Sequence, residues 1–185
     1  MVEITDVVEQ LPRKPGHPYW KMRPLGGIEK IVVHYDAVKV PPAQECGSIA
    51  YDPVARYIEQ AHYHISKNWN EGKRPVVKGF DLMYHYRVSA DGKVWRTQPE
   101  GLVTWHARDA NHSALAICCD LGPGQKPTIE QMAGLEALLD WLCFHRPDIP
   151  AGRKDVFGHG ELHKDGNKTP CPGALLGWVQ AYRRG

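Results

Sequence analysis

The chain has 185 residues, with 23 lysine and arginine residues against 21 aspartate and glutamate residues, which gives a net charge of +2. This length predicts one domain that can bury a core without disulfide support. Hydrophobic residues make up 42% and charged residues 24%, a composition that excludes a disordered, collagen-like or coiled-coil chain. The nearly neutral balance argues against a dedicated nucleic-acid binder, and no stretch has the roughly 20 apolar residues that a membrane helix needs.

The first third of the chain predicts an arm, a strand and a helix. Residues 1–27 are rich in proline, glycine and charge, so we expect an N-terminal arm that wraps around the domain. Ile28–His34 is β-branched and apolar, which predicts a buried strand ending in a histidine. After a loop, Asp52 and Pro53 predict the N-cap and first position of a helix that runs to about Trp69.

The middle of the chain predicts a hairpin, a buried strand and a second helix. Asp81–Val88 and Lys93–Thr97 flank an Asp-Gly turn, which is a strong hairpin signal. Ser113–Leu121 is mostly apolar and predicts another buried strand. Thr128 begins the capping-box sequence TIEQ, which predicts the start of a helix that ends before Pro147.

The last third predicts a short strand, a loop and a final helix. Asp155–Gly158 is the strand and leads directly into His159, while the helix covers roughly Ala174–Arg183. The complete order, β-α-β-β-β-α-β-α, predicts a single α/β domain with a central mixed sheet flanked by helices. We therefore divide the chain into the arm, residues 1–27, and one α/β domain, residues 28–185, which would carry any catalytic site.

Three side chains are candidates for metal ligands. His34 and His159 each lie at the end of a predicted strand, and Cys171 precedes the last helix in the sequence KTPCPG. Two imidazoles and one thiolate supply the three protein ligands of a catalytic zinc site, which keeps its fourth position for water. His159 and His163 in HGELH form a rival pair, although the neighbouring glycines disfavour a helix there. Spacing alone leaves both sets open.

Four segments carry a resemblance to a known family. They are IVVHYDA, MYHYRVSADGKVWRTQP, TWHARDANHSALAI, and VFGHGELH with KTPCPG, spread in this order over about residues 28–175. The ordered set resembles the zinc-dependent N-acetylmuramoyl-L-alanine amidases of the type 2 amidase superfamily, which includes phage endolysins and peptidoglycan recognition proteins. The resemblance implies a hydrolase of the phage endolysin kind. It would use a zinc-activated water to cut the amide bond between N-acetylmuramic acid and L-alanine of the peptidoglycan stem peptide.

The resemblance also implies the ligands and catalytic residues. One zinc ion per chain would be bound by His34, His159 and Cys171. Strand alternation places Tyr84 and Tyr86 on one face, so periodicity cannot choose between them, but the family position selects Tyr84 as the residue beside the metal.

Two further roles follow from the family's pattern. Thr169 occupies the position, two residues before the third ligand, that stabilises the oxyanion in the family, with Lys168 as the alternative one residue out of register. Trp105, His106 and Asn111 match the substrate groove. Glu161, close to His159, is the fallback candidate for a general base.

Other classes of function remain as alternatives. The same fold serves as a non-catalytic peptidoglycan-binding recognition module, but members without hydrolysis typically lack the cysteine ligand, and Cys171 is present. A regulatory protein that binds a partner protein on this scaffold is neither supported nor excluded by the sequence. An amidase for cytosolic muropeptide recycling would usually have aspartate in place of Cys171.

Two departures from the family bear on origin. Asp36 stands where relatives have serine or threonine, and Cys46 lies in a long loop without the partner needed for the disulfide found in many recognition proteins. The N-terminus lacks the apolar region of a secretory signal. We therefore expect a microbial or phage monomer that is made in the cytoplasm and reaches the cell wall by holin-type release. Its partner would be peptidoglycan, without nucleic acid or membrane insertion.

Overall fold

A computed structural model describes residues 2–36, 38–40, 51–68, 78–163 and 169–185. Within these ranges the structure has six strands and three α-helices. The strands are β1 (Ile4–Asp6), β2 (Lys30–Tyr35), β3 (Tyr86–Val88), β4 (Val94–Arg96), β5 (Ala114–Cys119) and β6 (Val156–Gly158). The helices are α1 (Pro53–Ser66), α2 (Ile129–Phe144) and α3 (Leu176–Arg184).

The strands form one mixed sheet in the order β1-β4-β3-β5-β2-β6. Only β3 and β4 pair antiparallel, as the hairpin signal predicts, and the other neighbours are parallel. The central strands β2 and β5 are almost continuously buried, which explains why their sequences are apolar rather than alternating. The predicted fold class, a single α/β domain with a central mixed sheet, is therefore confirmed.

Helices cover both faces of the sheet. Adjacent residues of a strand point to opposite faces, so Tyr86 and Arg87 identify the two sides. The Tyr86 ring packs edge-on to Trp141 of α2, with ring centroids 6.4 Å apart. The Arg87 guanidinium lies 4.7 Å from the ring of Tyr57 of α1. Helix α3 shares the larger core with α2, through Val179 among others.

The first two α-helices begin where the N-cap signals of the sequence predict. The Asp52 side chain accepts a hydrogen bond from the backbone N–H of Val54 at the start of α1. Thr128 caps α2 in the same way, accepting from Gln131 at 3.0 Å. The Gln131 amide donates to the carbonyl oxygens of Val88 and Asp120, and so ties the helix to the sheet.

The structure contains one strand that the sequence does not predict, and two predicted boundaries differ from the structure or lie outside the described residues. The arm contains a strand, β1, which pairs with β4 and was not predicted. Helix α1 ends at Ser66, and Trp69 lies outside the described residues. Strand β3 begins at Tyr86 instead of Asp81, because the preceding backbone bonds to side chains: Gln98 donates to the Leu82 carbonyl and Thr97 to the Tyr84 carbonyl.

The three helices are too short or too polar to cross a membrane, and no other helix among the described residues meets that requirement.

Candidate active site

Strand register brings the two predicted histidine ligands together. Strands β2 and β6 are parallel neighbours in which Val33 is opposite Gly158. His34 and His159 directly follow these two paired residues along the chain, and their ring centroids are 4.5 Å apart. Since parallel strands end at the same edge of a sheet, both imidazoles lie where loop-borne sites form.

A glycine allows the loop with Cys171 to approach this edge. The N–H of Gly160 donates to the Cys171 carbonyl at 2.7 Å. A Cβ atom at position 160 would lie only 2.7 Å from the Thr169 carbonyl oxygen and 2.9 Å from that of Cys171. Any other residue would push this loop away from the histidines, so the HGELH segment contributes its glycine as well as its histidines.

The three donors His34, His159 and Cys171 have ligand atoms that all lie within 4.8 Å of one another. The Sγ atom of Cys171 is 3.6 Å from Nδ1 of His34. A tetrahedral zinc ion with Zn–N of about 2.0 Å and Zn–S of about 2.3 Å separates these two atoms by roughly 3.5 Å. The residues present therefore fit a single zinc ion, with Nδ1 as the metal-facing nitrogen of His34.

Burial dominates the electrostatics of these ligands. His34 is only 2% exposed. Burial, with repulsion from His106 and His159, holds the pKa of His34 well below its ordinary value. Burial and His163 lower the pKa of His159 to about 4. Both imidazoles are thus neutral at pH 7, which is the form that binds a metal.

The sulfur of Cys171 is also shaped by its surroundings. Burial raises the pKa of the Cys171 thiol to about 12, although the backbone N–H of Tyr35 acts in the opposite direction. That N–H donates to Sγ at 3.4 Å. A backbone donor of this kind stabilises the thiolate form that a metal requires.

Each histidine ligand contacts a second histidine. Nε2 of His34 lies 2.9 Å from Nδ1 of His106. Nε2 of His159 lies 3.0 Å from Nε2 of His163. The structure does not support the rival pair of HGELH, because it groups His159 with the distant His34 and Cys171. His163 instead lies against Nε2 of His159.

Tyr84 and Tyr86 do not share an environment, so the predicted common face is wrong. The Tyr84 ring lies 5.2 Å from the ring of His34, at the metal site. Tyr86 instead packs into the main core, where its hydroxyl donates to Glu100. Burial raises the pKa of Tyr84 well above its ordinary value, and Cys118 and Cys171 act in the same direction.

The unusual Asp36 belongs to a buried ionic network behind the site. Its carboxylate accepts hydrogen bonds from Arg87 at 2.7 Å and from Arg56 at 2.9 Å. Arg87, which is fully buried, also binds Asp120, whose other oxygen accepts from the Tyr57 hydroxyl. Burial alone would raise the pKa of Asp36, but the two arginines lower it to about 2. Asp36 therefore gives the buried Arg87 a second carboxylate partner beside Asp120.

A surface depression of about 350 Å³ adjoins the metal-binding residues. Its lining residues are Trp105, His106, Arg108, Asn111, His159 and His163. All three predicted groove residues are therefore present. The Oδ1 atom of Asn111 accepts from the backbone N–H groups of His106 and Ala107, at 3.0 and 2.7 Å, so this oxygen shapes the loop that carries His106.

The N-terminal arm adds residues to this region that the sequence did not reveal. Tyr19 is 37% exposed and lies edge-on to Trp105, with ring centroids 5.2 Å apart. The partly buried guanidinium of Arg23 donates to the carbonyls of Asn111 at 2.7 Å and Ala114 at 2.8 Å. These contacts join residues distant in the sequence, and no local pattern indicates them.

The remaining candidates have different positions. The Thr169 hydroxyl oxygen accepts from the Cys171 N–H at 3.3 Å, which places this side chain next to the third ligand. Lys168 lies outside the described residues, as does Cys46. Glu161 binds Arg183, Gln180 and the N–H of Gly158, so its carboxylate joins the ligand turn to α3 and is occupied by these partners.

The mixed six-stranded sheet is that of the type 2 amidase and peptidoglycan recognition protein superfamily, and this chain has a histidine-histidine-cysteine cluster where strands β2 and β6 end. The family profile described as N-acetylmuramoyl-L-alanine amidase, Amidase_2, matches residues 24–174. The chain therefore belongs to the Amidase_2 family. A comparison with curated proteins gives no match.

Solved structures have the same fold. The N-acetylmuramoyl-L-alanine amidase LysC from Clostridium intestinale URNW is 19% identical, with a TM-score of 0.63 over 98% of this chain and 97% of that one. The Drosophila peptidoglycan recognition protein SD is 17% identical, with a TM-score of 0.69 over 97% and 94%. Peptidoglycan recognition protein LE, solved with tracheal cytotoxin, is 20% identical, with a TM-score of 0.67 over 96% and 92%. At these identities the comparisons establish the fold.

Proposed function

We propose that this protein is a zinc-dependent N-acetylmuramoyl-L-alanine amidase that cleaves the bond between N-acetylmuramic acid and L-alanine in peptidoglycan. The convergence of His34, His159 and Cys171 beside Tyr84 is the observation that carries the proposal. When bound, zinc would lower the pKa of a water molecule to about 7 and polarise a carbonyl group.

The chain's own residues supply binding and orientation. The depression beside the ligands has an aromatic wall at Trp105 and polar groups at His106 and Asn111, which suits a substrate with a sugar ring and a peptide. Tyr84 would donate a hydrogen bond to the oxygen that becomes negatively charged during hydrolysis, with Thr169 as a second donor. We include endolysin-type release from a phage-infected cell in the proposal, on the basis of the resemblance of the sequence to phage endolysins.

Digestion of purified peptidoglycan tests this function directly. We expect new L-alanine amino termini without new reducing sugars, loss of the reaction on adding a zinc chelator, and recovery on adding zinc. Binding without new ends would instead indicate a recognition module. New reducing ends would mean that the glycan is cut and that the proposed reaction is wrong.

A matched pair of cysteine variants connects the reaction to the site. Cys171→Ser removes the thiolate ligand, so we expect loss of both bound zinc and amidase activity. Cys143→Ser changes a half-buried cysteine of α2 and should leave both unchanged. Equal zinc content and equal activity in the two variants would remove Cys171 from the proposed site.

A further inference from the structure

Both histidine ligands of the proposed zinc site have one ring nitrogen within hydrogen-bond distance of a second histidine. For His34, Nδ1 lies 3.6 Å from the sulfur of Cys171, and Nε2 lies 2.9 Å from His106. For His159, Nε2 lies 3.0 Å from Nε2 of His163, and the two rings are 4.8 Å apart. The arrangement thus has two inner and two outer histidines.

The chemistry of a neutral imidazole gives the outer histidines a role. Such a ring has one nitrogen that donates a hydrogen and one that accepts. A nitrogen that binds a metal uses its lone pair, so the other nitrogen must carry the hydrogen and needs an acceptor. A carboxylate or carbonyl usually supplies that acceptor. In this chain, ring nitrogens of His106 and His163 lie at hydrogen-bond distance from the two ligands, and either can accept the bond in the tautomer that leaves it unprotonated.

We propose that His163 is a positioning residue that accepts a hydrogen bond from Nε2–H of His159 and so fixes its tautomer and ring orientation for zinc. His106 has the same role toward His34. This inference rests on the proposed function, since it assumes that the inner histidines bind zinc.

The position of His159 makes it the more dependent of the two ligands. His34 lies within strand β2 and is almost fully buried, so its neighbours restrain it. His159 directly follows strand β6 and begins the short 3₁₀ turn His159–Leu162. Its side chain is partly exposed in the depression. With fewer restraints from packing, its orientation depends more on the hydrogen bond to His163.

The structure also argues against His163 as a ligand. Among the described residues, the donor atoms that lie within 4.8 Å of one another come from His34, His159 and Cys171, and His163 is outside this group. Its contact at 3.0 Å is with the imidazole nitrogen of His159, which is a hydrogen-bond distance.

Zinc affinity, measured by competition with a chromophoric chelator, tests the proposal without reference to activity. His163→Ala removes the acceptor and should weaken zinc binding by about 10- to 100-fold, as for other supporting residues of metal sites. His163→Gln places an amide oxygen near the position of the lost nitrogen and should restore most of the affinity. His62→Ala changes an exposed histidine of α1 and should bind zinc like the wild type. Circular dichroism confirms that each variant is folded.

Each outcome supports or overturns the inference. Wild-type affinity in His163→Ala overturns it, and the proposed function stands if Cys171→Ser still loses zinc. X-ray absorption of the zinc-loaded wild type should show two nitrogen ligands and one sulfur from the protein. A third histidine nitrogen that disappears in His163→Ala would make His163 a ligand and also overturn the inference. Failure of the wild type to bind zinc would overturn both proposals.

Discussion

At the scale of single residues, two tyrosines separated by one position differ in what they contact. Tyr84 lies against His34, whereas the Tyr86 hydroxyl donates to Glu100 in the core. Tyr84→Phe removes a hydrogen-bond donor at the site, so we expect turnover to fall by about 10²- to 10³-fold. Zinc content should be unchanged because no ligand is altered. Turnover is measured on a soluble muramyl peptide, and zinc by metal analysis.

Tyr86→Phe is the matched control for this prediction. It removes a buried hydrogen bond to a carboxylate, so we expect the free energy of unfolding to fall by about 1.5–3 kcal/mol. Turnover should remain close to that of the wild type. Full turnover in Tyr84→Phe, or equal losses in both variants, would show that the Tyr84 hydroxyl has no special part in the reaction.

At the scale of elements, Arg23 helps to join the N-terminal arm to the groove. It is partly buried and donates to main-chain carbonyls, including those of Asn111 and Ala114 at the two ends of the turn before β5. Arg23→Lys keeps the charge but cannot bond both carbonyls in the same geometry. We therefore expect a higher KM with a smaller change in kcat, and a loss of about 1–3 kcal/mol in the free energy of unfolding.

Steady-state kinetics and urea denaturation of Arg23→Lys measure these two effects. Arg184→Lys, at the exposed end of α3, controls for the exchange of arginine for lysine. A fall in kcat with KM unchanged would contradict the expectation, because it would mean that Arg23 acts on the reaction rather than on the shape of the groove.

The strands and helices also show how much of the fold could be predicted from the sequence. Apolar runs and caps located β2, α1, β5 and α2, because these signals are local. Strand alternation failed for Tyr84, since hydrogen bonds from Thr97 and Gln98 replace regular pairing before Tyr86. Contacts that join distant segments, such as those of Tyr19 with Trp105 and of Arg23 with Asn111, depend on the assembled fold and have no periodic signal.

The metal-binding residues combine local sequence signals with contacts that depend on the assembled fold. Histidines at strand ends could be recognised as ligand candidates, but their meeting depends on the β2–β6 register, in which Val33 is opposite Gly158. The approach of Cys171 depends on the missing side chain of Gly160. The resemblance to a family supplied what spacing left open, namely which histidine joins His34.

At the scale of the whole molecule, several histidines are held neutral by burial. One is His85, whose Nδ1 accepts from the Ala116 N–H at 2.9 Å and whose Nε2 donates to the Leu102 carbonyl at 2.8 Å. This ring connects β5 to the loop before the groove. Burial, with the charge of Arg23, lowers the pKa of His85 to about 3, although the hydrogen bond to Leu102 acts in the opposite direction.

This lowered pKa makes stability depend on pH in a defined direction. An unfolded histidine has a pKa near 6.5, so between about pH 6.5 and pH 3 the unfolded chain binds more protons at position 85 than the folded chain does. The contribution of His85 is therefore present above pH 6.5 and is lost as pH falls toward 3. The slope from one such group is up to about 1.4 kcal/mol per pH unit.

His85→Gln removes this titrating group, so we expect the free energy of unfolding to fall less steeply than in the wild type between pH 6 and pH 4. Urea denaturation at several pH values, with a chelator present to remove any contribution from metal binding, measures the slope. His62→Gln changes an exposed histidine of α1 and controls for the loss of an imidazole at the surface. Since the wild-type slope also includes the other buried histidines, only the difference between the curves reports on His85. Parallel curves for the wild type and His85→Gln would show that the fold does not hold this ring neutral.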